Sequence, residues 1–388
     1  MSDKYIYLDH ASATPLDKRA LKAMEPYLTK KFYNPSSPYA PAVEVKRDYV
    51  AAKKMIAQLL GARIDELTMT AGATESINLA FANCLSADDH LVTLSIEHHA
   101  VIETAKLYPQ TFVSVNGKGI VDPIDIKKAI TDQTTLVSVA LVNNELGVIQ
   151  PIKKIAELIE IIRVDRLARG IKKPLYLHAD ASQAATQLDL TVSRLGVDLM
   201  TLNAGKMYGP KQVGLLWAKS GIVIKPQIVG GGQEHGARSG TENVSGVIGF
   251  AAAFEVAEQK RKSEVHRLTV LRDYLENHLK QEFPQAIFSG DHKKRLASYL
   301  HVSFPELDGE RLVFRLENRK VLVATGSACS ANSNTRSHVL MKIGLTEKEV
   351  DGSLRITLGA LSNEENIKQA TKIIIEEVKK EYERVKNV

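Results

Sequence analysis

The stretch Thr134–Asp180, TTLVSVALVNNELGVIQPIKKIAELIEIIRVDRLARGIKKPLYLHAD, reads as strand, helix, strand. Thr134–Val142 is a nearly unbroken apolar and β-branched run, Pro151–Gly170 has helical character, and Leu175–Asp180 returns to strand character before ending in an acid. Two strands joined by a helical crossover run parallel. The same alternation continues outward through HLVTLSI (90–96), VDLMTLN (197–203) and VGLLWA (213–218). The expected fold class is therefore α/β, with a mostly parallel central sheet covered on both faces. Upstream, EVKRDYVAAKKMIAQLLGA (44–62) has apolar residues at Val50, Met55, Leu59 and Leu60 and a glycine just past its end, which predicts a capped amphipathic helix. After Thr241 the character changes. A long charged helix over roughly Val247–Phe283, strands in SYLHVSFP and GSLRITLG, and a last amphipathic helix from Glu364 predict a smaller α+β domain.

Bulk properties exclude several classes. The 388 residues carry a net charge of +6, but the basic residues are scattered among 45 acids, which gives no support for nucleic-acid binding. No stretch reaches the ~18 uninterrupted apolar residues of a membrane helix, and the amino terminus has no apolar signal-like region, so a cytoplasmic protein is expected. Two cysteines, Cys84 and Cys329, rule out a disulfide framework or a Cys-rich metal site within one chain, and no metal is expected.

In open α/β sheets chemistry gathers beyond the carboxyl ends of the strands. TAGATES places Gly72, Ala73 and Thr74 at a strand-to-helix turn, where helix N–H groups favour a phosphate. Other strand ends carry His98, Asn143 with Asn144, Asp180 with Gln183, and Lys206 in NAGKMYGPKQVG. Singly, each has an ordinary structural reading as a helix cap, a hydrogen-bond partner or a turn residue. Together they make the parts of a pyridoxal phosphate site: an acid for the pyridine nitrogen, a ring to stack, a phosphate turn and a lysine for the aldehyde. No GxxxxGK[ST] or GxGxxG occurs to support a nucleotide site. Lys211, after Pro210, reads as a solvent-side turn residue, which leaves Lys206 for the cofactor.

With TAGATES and GKMYGPKQVG, eight further stretches, YLDHASATP, NPSS, EHHAV, NNELGVIQPI, HADASQA, GGGQEHGARSGTEN, GSACSANSNTRSHVL and SLRITLG, cover essentially the whole chain. On these the sequence resembles the cysteine desulfurases of the NifS/IscS type, within the class V aminotransferase superfamily. The resemblance implies a PLP-dependent transferase of fold type I, with a large PLP-binding domain over 15–259 and a small domain from 1–14 and 260–388 that carries the catalytic cysteine loop. It implies that Lys206 holds pyridoxal 5'-phosphate, that Asp180 pairs with the pyridine nitrogen and that His98 stacks on the ring and shuttles a proton. Gln183 and Asn144 would lie on the phenolic-oxygen side, and Ala73, Thr74, Asn203 and the Gly205 position at the phosphate. Thr241 would reach the phosphate of a neighbouring subunit, so a homodimer is implied.

The substrate implied is L-cysteine, its carboxylate gripped by Arg355 with Asn34 and Asn144. Cys329 would attack the substrate sulfur and hand the resulting persulfide to a protein acceptor in iron–sulfur cluster assembly or tRNA thiolation, while Cys84 belongs to the core. A selenocysteine lyase, another class V enzyme, or a non-enzymatic relative with the same fold are the alternatives. The sequence departs from the family pattern at Asn203 and Gly205, where Ser and His are usual, and at Tyr39, Ala42, Gln212 and His235. Gly205 then either weakens the phosphate site or is small because Tyr39 or Gln212 fills the space.

Overall fold

A computed structural model describes residues 5–326 and 336–387. β1 (Ile6–Tyr7) opens the described chain. Seven strands then form the central sheet: β2 (Leu67–Thr70), β3 (His90–Leu94), β4 (Gln110–Val113), β5 (Thr134–Ala140), β6 (Tyr176–Asp180), β7 (Leu199–Asn203) and β8 (Gly214–Ala218). Their order in space is β2-β8-β7-β6-β5-β3-β4. All neighbours pair in parallel except β8, which is antiparallel to both β7 and β2. β5 is buried at every position and β3 and β6 at all but their first, as expected when helices cover both faces.

The remaining strands are β9 (Ile287–Phe288), β10 (Tyr299–Ser303), β11 (Val321–Leu322) and β12 (Ser353–Thr357). β9, β10 and β12 make an antiparallel sheet in the order β12-β10-β9, and β11 pairs in parallel with β1. A 39-residue helix, Val244–Glu282, belongs to two cores. Its first third, including Val247, Phe250 and Phe254, packs into the core of the large sheet, whereas Leu268, Leu271, Leu275 and Leu279 pack with β10, β12 and the last helix. Each such buried leucine contributes roughly 1.5–3 kcal/mol.

The helix anticipated in 44–62 spans Ala40–Leu60 and ends at Gly61, whose φ of 64° suits glycine. Its buried stripe differs from the one read in the sequence. Val45, Tyr49, Ala52, Ile56 and Leu60 face the core, while Val50 is exposed. The long helix starts three residues before the expected Val247, because the Asn243 side chain accepts from Gly246 N–H and caps it there. No helix among the described residues is long and apolar enough to cross a membrane.

Two glycines set how closely the site-forming segments approach. A Cβ on Gly147 would lie 2.4 Å from the Tyr299 ring, at a φ of 70° that side chains rarely adopt. A Cβ on Gly214 in β8 would lie 2.5 Å from the carbonyl carbon of Gly72, the residue that starts the helix Ala73–Cys84. Gly214→Ala is therefore expected to force β2 and β8 apart and cost about 1–3 kcal/mol. Urea denaturation checks this, and an unchanged midpoint would contradict it.

Candidate active site

The residues singled out at strand ends converge on the carboxyl edge of the central sheet, where the segment Asp9–Ala13 crosses them. Lys206 follows β7 in a short turn, and its Nζ donates to the carbonyls of Ala11 (2.8 Å) and Ser12 (2.7 Å). Gln183, after β6, donates Nε2–H to the same Ala11 carbonyl (3.1 Å) and accepts from Tyr299 O–H (2.9 Å). Asp180 ends β6. Its Oδ1 accepts from Ser182 N–H (3.0 Å) and Oγ–H (2.6 Å), and no hydrogen bond from a described residue reaches Oδ2.

His98 stands at the start of the helix His99–Ala105 and caps it, its Nδ1 accepting from Ala100 N–H at 3.1 Å. The neutral ring therefore carries its proton on Nε2. Burial holds its pKa below the ordinary histidine range, against the pull of Asp180, and Lys206 adds to the depression. Asn143 builds the turn after β5 by accepting from the N–H groups of Glu145 and Leu146, which leaves Asn144 to offer its carbonyl to Arg355 Nη1 (3.1 Å).

Arg355, on β12, is buried rather than a surface ion pair. Its Nη2 donates to Asp9 Oδ1 (2.8 Å) and Ser12 Oγ (2.6 Å), while Nε–H has no acceptor among the described residues. A buried, unanswered N–H on a guanidinium costs free energy unless a ligand satisfies it. Ser12 thus ties Lys206 through its carbonyl to Arg355 through its hydroxyl.

A cavity of about 480 Å³ opens on the other side of Lys206, lined by Ser12, the turn Ala71–Glu75, Asn203, Gly205, Lys211 and Gln212. First-turn N–H groups of the helix Ala73–Cys84 give it an anion-favouring wall. Its one acid, Glu75, is already engaged, accepting from Ala71 N–H (2.7 Å) and from Arg238 Nε–H (3.0 Å). Asn203 Oδ1 is likewise engaged, by Gly205 N–H (3.0 Å). What remains on the wall is donors and cations.

A pyridoxal phosphate fits this donor set. The cavity suits its phosphate, Asp180 Oδ2 can accept from its ring nitrogen, and Lys206 lines the cavity. Lys206, Ala73, Thr74, Asn203 and Gly205 come together at the cavity, with Asp180, His98 and Gln183 on adjoining strand ends. Asn34 does not join them. It is exposed, and its Oδ1 closes a local turn with Ser36 N–H. Thr241 is exposed and lines a different cavity, of about 250 Å³, beside Tyr49, Glu234 and Arg238. Cys329 lies outside the described residues. The atoms nearest a Cβ at Gly205 belong neither to Tyr39 nor to Gln212: it would meet Asn203 Oδ1 at 3.4 Å and the Lys211 stem at 3.7 Å. Lys211, read as a turn residue, lines the same cavity as Lys206. Asp9, Ser12 and Tyr299 were given no role from sequence, although YLDHASATP stood out as a motif.

The comparisons with known proteins agree with this geometry. The family profile described as Aminotransferase class-V matches residues 6–370. The cysteine desulfurase IscS of Dictyoglomus turgidum is 38% identical over 371 residues, 93% of this chain and 91% of that protein. Among solved structures, a NifS-like protein superposes with a TM-score of 0.85 at 31% identity, covering 96% of this chain and 98% of the other. A structure titled SspA in complex with cysteine gives a TM-score of 0.74 at 31% identity, covering 91% and 98%. Fold and site thus define a class V aminotransferase fold. The chain belongs to that family and, within it, to the cysteine desulfurases of the NifS/IscS type.

Burial around the site sets a pH dependence of stability. It depresses the pKa values of His10, His90, His98 and His338, takes His178 to about 4 and His301 to about 3. These folded-state values lie below the unfolded one, so their contribution to stability is present above about pH 6.5 and is lost as pH falls through the folded values. Burial raises Glu97 to about 8 and Glu145 to about 7, which works in the opposite direction between about pH 4.5 and those values. With six histidines against two glutamates, stability should rise from pH 5 to 6.5, and His178→Asn should flatten the rise. Denaturant titrations across that range decide it; a flat or falling parental profile would contradict the expectation.

Proposed function

We propose that the site converts L-cysteine to L-alanine with pyridoxal phosphate and leaves the sulfur as a persulfide on Cys329. One observation carries the reading: Lys206 and Arg355 are both anchored on Ser12. A cofactor-bearing lysine and an arginine with an N–H unanswered among the described residues, both held on Ser12, suit the amine and carboxylate of an α-amino acid. A relative whose structure is titled as a complex with cysteine supports the choice of amino acid.

When bound, pyridoxal phosphate supplies an electron sink that acidifies the Cα proton. Lys206 holds the cofactor and, once the substrate amine takes its place, accepts the Cα proton at Nζ. Arg355 orients the carboxylate through Nε–H. Asp180 Oδ2 keeps the ring nitrogen protonated, and neutral His98 offers Nε2–H at the ring. The Cys329 thiolate attacks the substrate sulfur. An S–S bond forms as the Cβ–S bond breaks, its electron pair stays on carbon, and protonation at Cβ yields alanine. The persulfide then passes to a protein acceptor of an iron–sulfur or tRNA-thiolation system. A homodimer in which Thr241 reaches the partner's phosphate site, at work in the cytoplasm, completes the proposal.

The purified protein should be yellow, and borohydride reduction should fix the cofactor on Lys206; label on Lys211 would overturn the assignment. Cys329→Ser should keep the colour while sulfide and alanine formation fall nearly to background. Burial pushes the Cys84 thiol up to about 12, so Cys84→Ser should behave like the parent. Equal loss in both cysteine variants would refute the role of Cys329.

A further inference from the structure

The cavity beside Lys206 carries more positive charge than its own walls neutralise. Its one carboxylate, Glu75, is answered by Ala71 N–H and by Arg238. Lys206 is turned toward the carbonyls of Ala11 and Ser12. Lys211 is different. Its side chain lines the cavity, is exposed, and makes no hydrogen bond or ion pair with any described residue. Its Cα and Cγ both lie 3.7 Å from where a side chain on Gly205 would begin, and with Asn203 Oδ1 they are the atoms nearest that point. The Lys211 stem thus runs past the open face of Gly205, along the wall of the same cavity.

We infer that Lys211 is a phosphate-binding residue of this chain: its ammonium closes over the cofactor phosphate from the side that Gly205 leaves open. The inference rests on the cofactor reading above. The other groups left on the wall are neutral donors, namely the N–H groups of Ala73 and Thr74, the Thr74 hydroxyl and the Asn203 amide. A phosphate monoester carries close to two negative charges at neutral pH. Neutral donors can bond to it, but a cation balances its charge, most of all once the substrate amine would have displaced Lys206 from the cofactor. A flexible stem with three rotatable donors suits this role, since it can follow the phosphate as the ring tilts.

The test separates phosphate from ring. Apoprotein is titrated with pyridoxal phosphate and, in parallel, with pyridoxal, which lacks the phosphate, for the parent, Lys211→Met and Lys211→Arg. Lys211→Met keeps the aliphatic stem against Gly205 and should melt with the parent, because Lys211 has no described partner to lose. It should bind pyridoxal phosphate about tenfold or more weakly, the worth of a charge-assisted hydrogen bond. Pyridoxal binding should be unchanged, inorganic phosphate should compete less well than in the parent, and Lys211→Arg should retain most of the affinity. Equal pyridoxal phosphate affinity in parent and Lys211→Met would overturn the inference while leaving the cofactor reading intact. Loss of pyridoxal affinity to the same degree would also overturn it, by showing that Lys211 supports the fold of the site and not the phosphate. A parent apoprotein that binds neither ligand would refute the cofactor reading itself, and the inference with it.

Discussion

The site depends on one short piece of backbone, Asp9–Ala13, laid across the carboxyl edge of the sheet. Ala11 N–H donates to Thr357 Oγ1, and Asp9 bridges to Thr357, which fixes the segment to β12. Its carbonyls hold Lys206 and Gln183, and the Asp9 and Ser12 side chains hold Arg355. Residues from β6, β7 and β12 are thus positioned by one strip of chain. Arg355 shows why the strip must be there. A buried guanidinium without a counter-charge is strongly destabilising, by about 3–5 kcal/mol when one partner of a buried pair is removed. Asp9 supplies that charge, so the fold and the arginine proposed to bind the substrate share one ion pair.

Around this strip the site holds ionisable groups in a dry environment. Glu97 is fully buried, its Oε1 accepting from Ala140 N–H while Oε2 has no partner among the described residues, and its pKa rises accordingly. Glu145 is bonded by Ser337 Oγ–H, so the turn after β5 is joined to the start of the helix His338–Lys342. His98 is kept neutral by the same desolvation, with its tautomer set by the helix it caps. Low water content therefore determines protonation states here as much as charge does.

The order of strands and helices was legible because apolar runs of strand length alternate with helical segments, and a parallel β5–β6 pair follows from the crossover between them. The helix Ala40–Leu60 was legible in kind but not in orientation. Val50 and Met55 are as apolar as Ile56, and only the neighbouring helix Val244–Glu282 decides that Val45, Tyr49 and Ile56 turn inward. Lys206, Asp180, His98 and Thr74 could be found from sequence, since each stands at or within a few residues of the carboxyl end of a recognisable strand.

What the sequence by itself determined is the local grammar: which segments become strands, where helices are capped, and which chemically capable residues stand at strand ends. Tertiary structure alone decided the partners of those residues. Asp9 and Arg355 are 346 positions apart, as are Ala11 and Thr357, so no local pattern relates them. The same holds for Lys211, whose neighbours suggest only a turn, yet whose stem runs along the cavity beside Gly205. Spacing along the chain encodes what each segment can form, whereas burial and charge balance across distant segments determine which of its side chains meet.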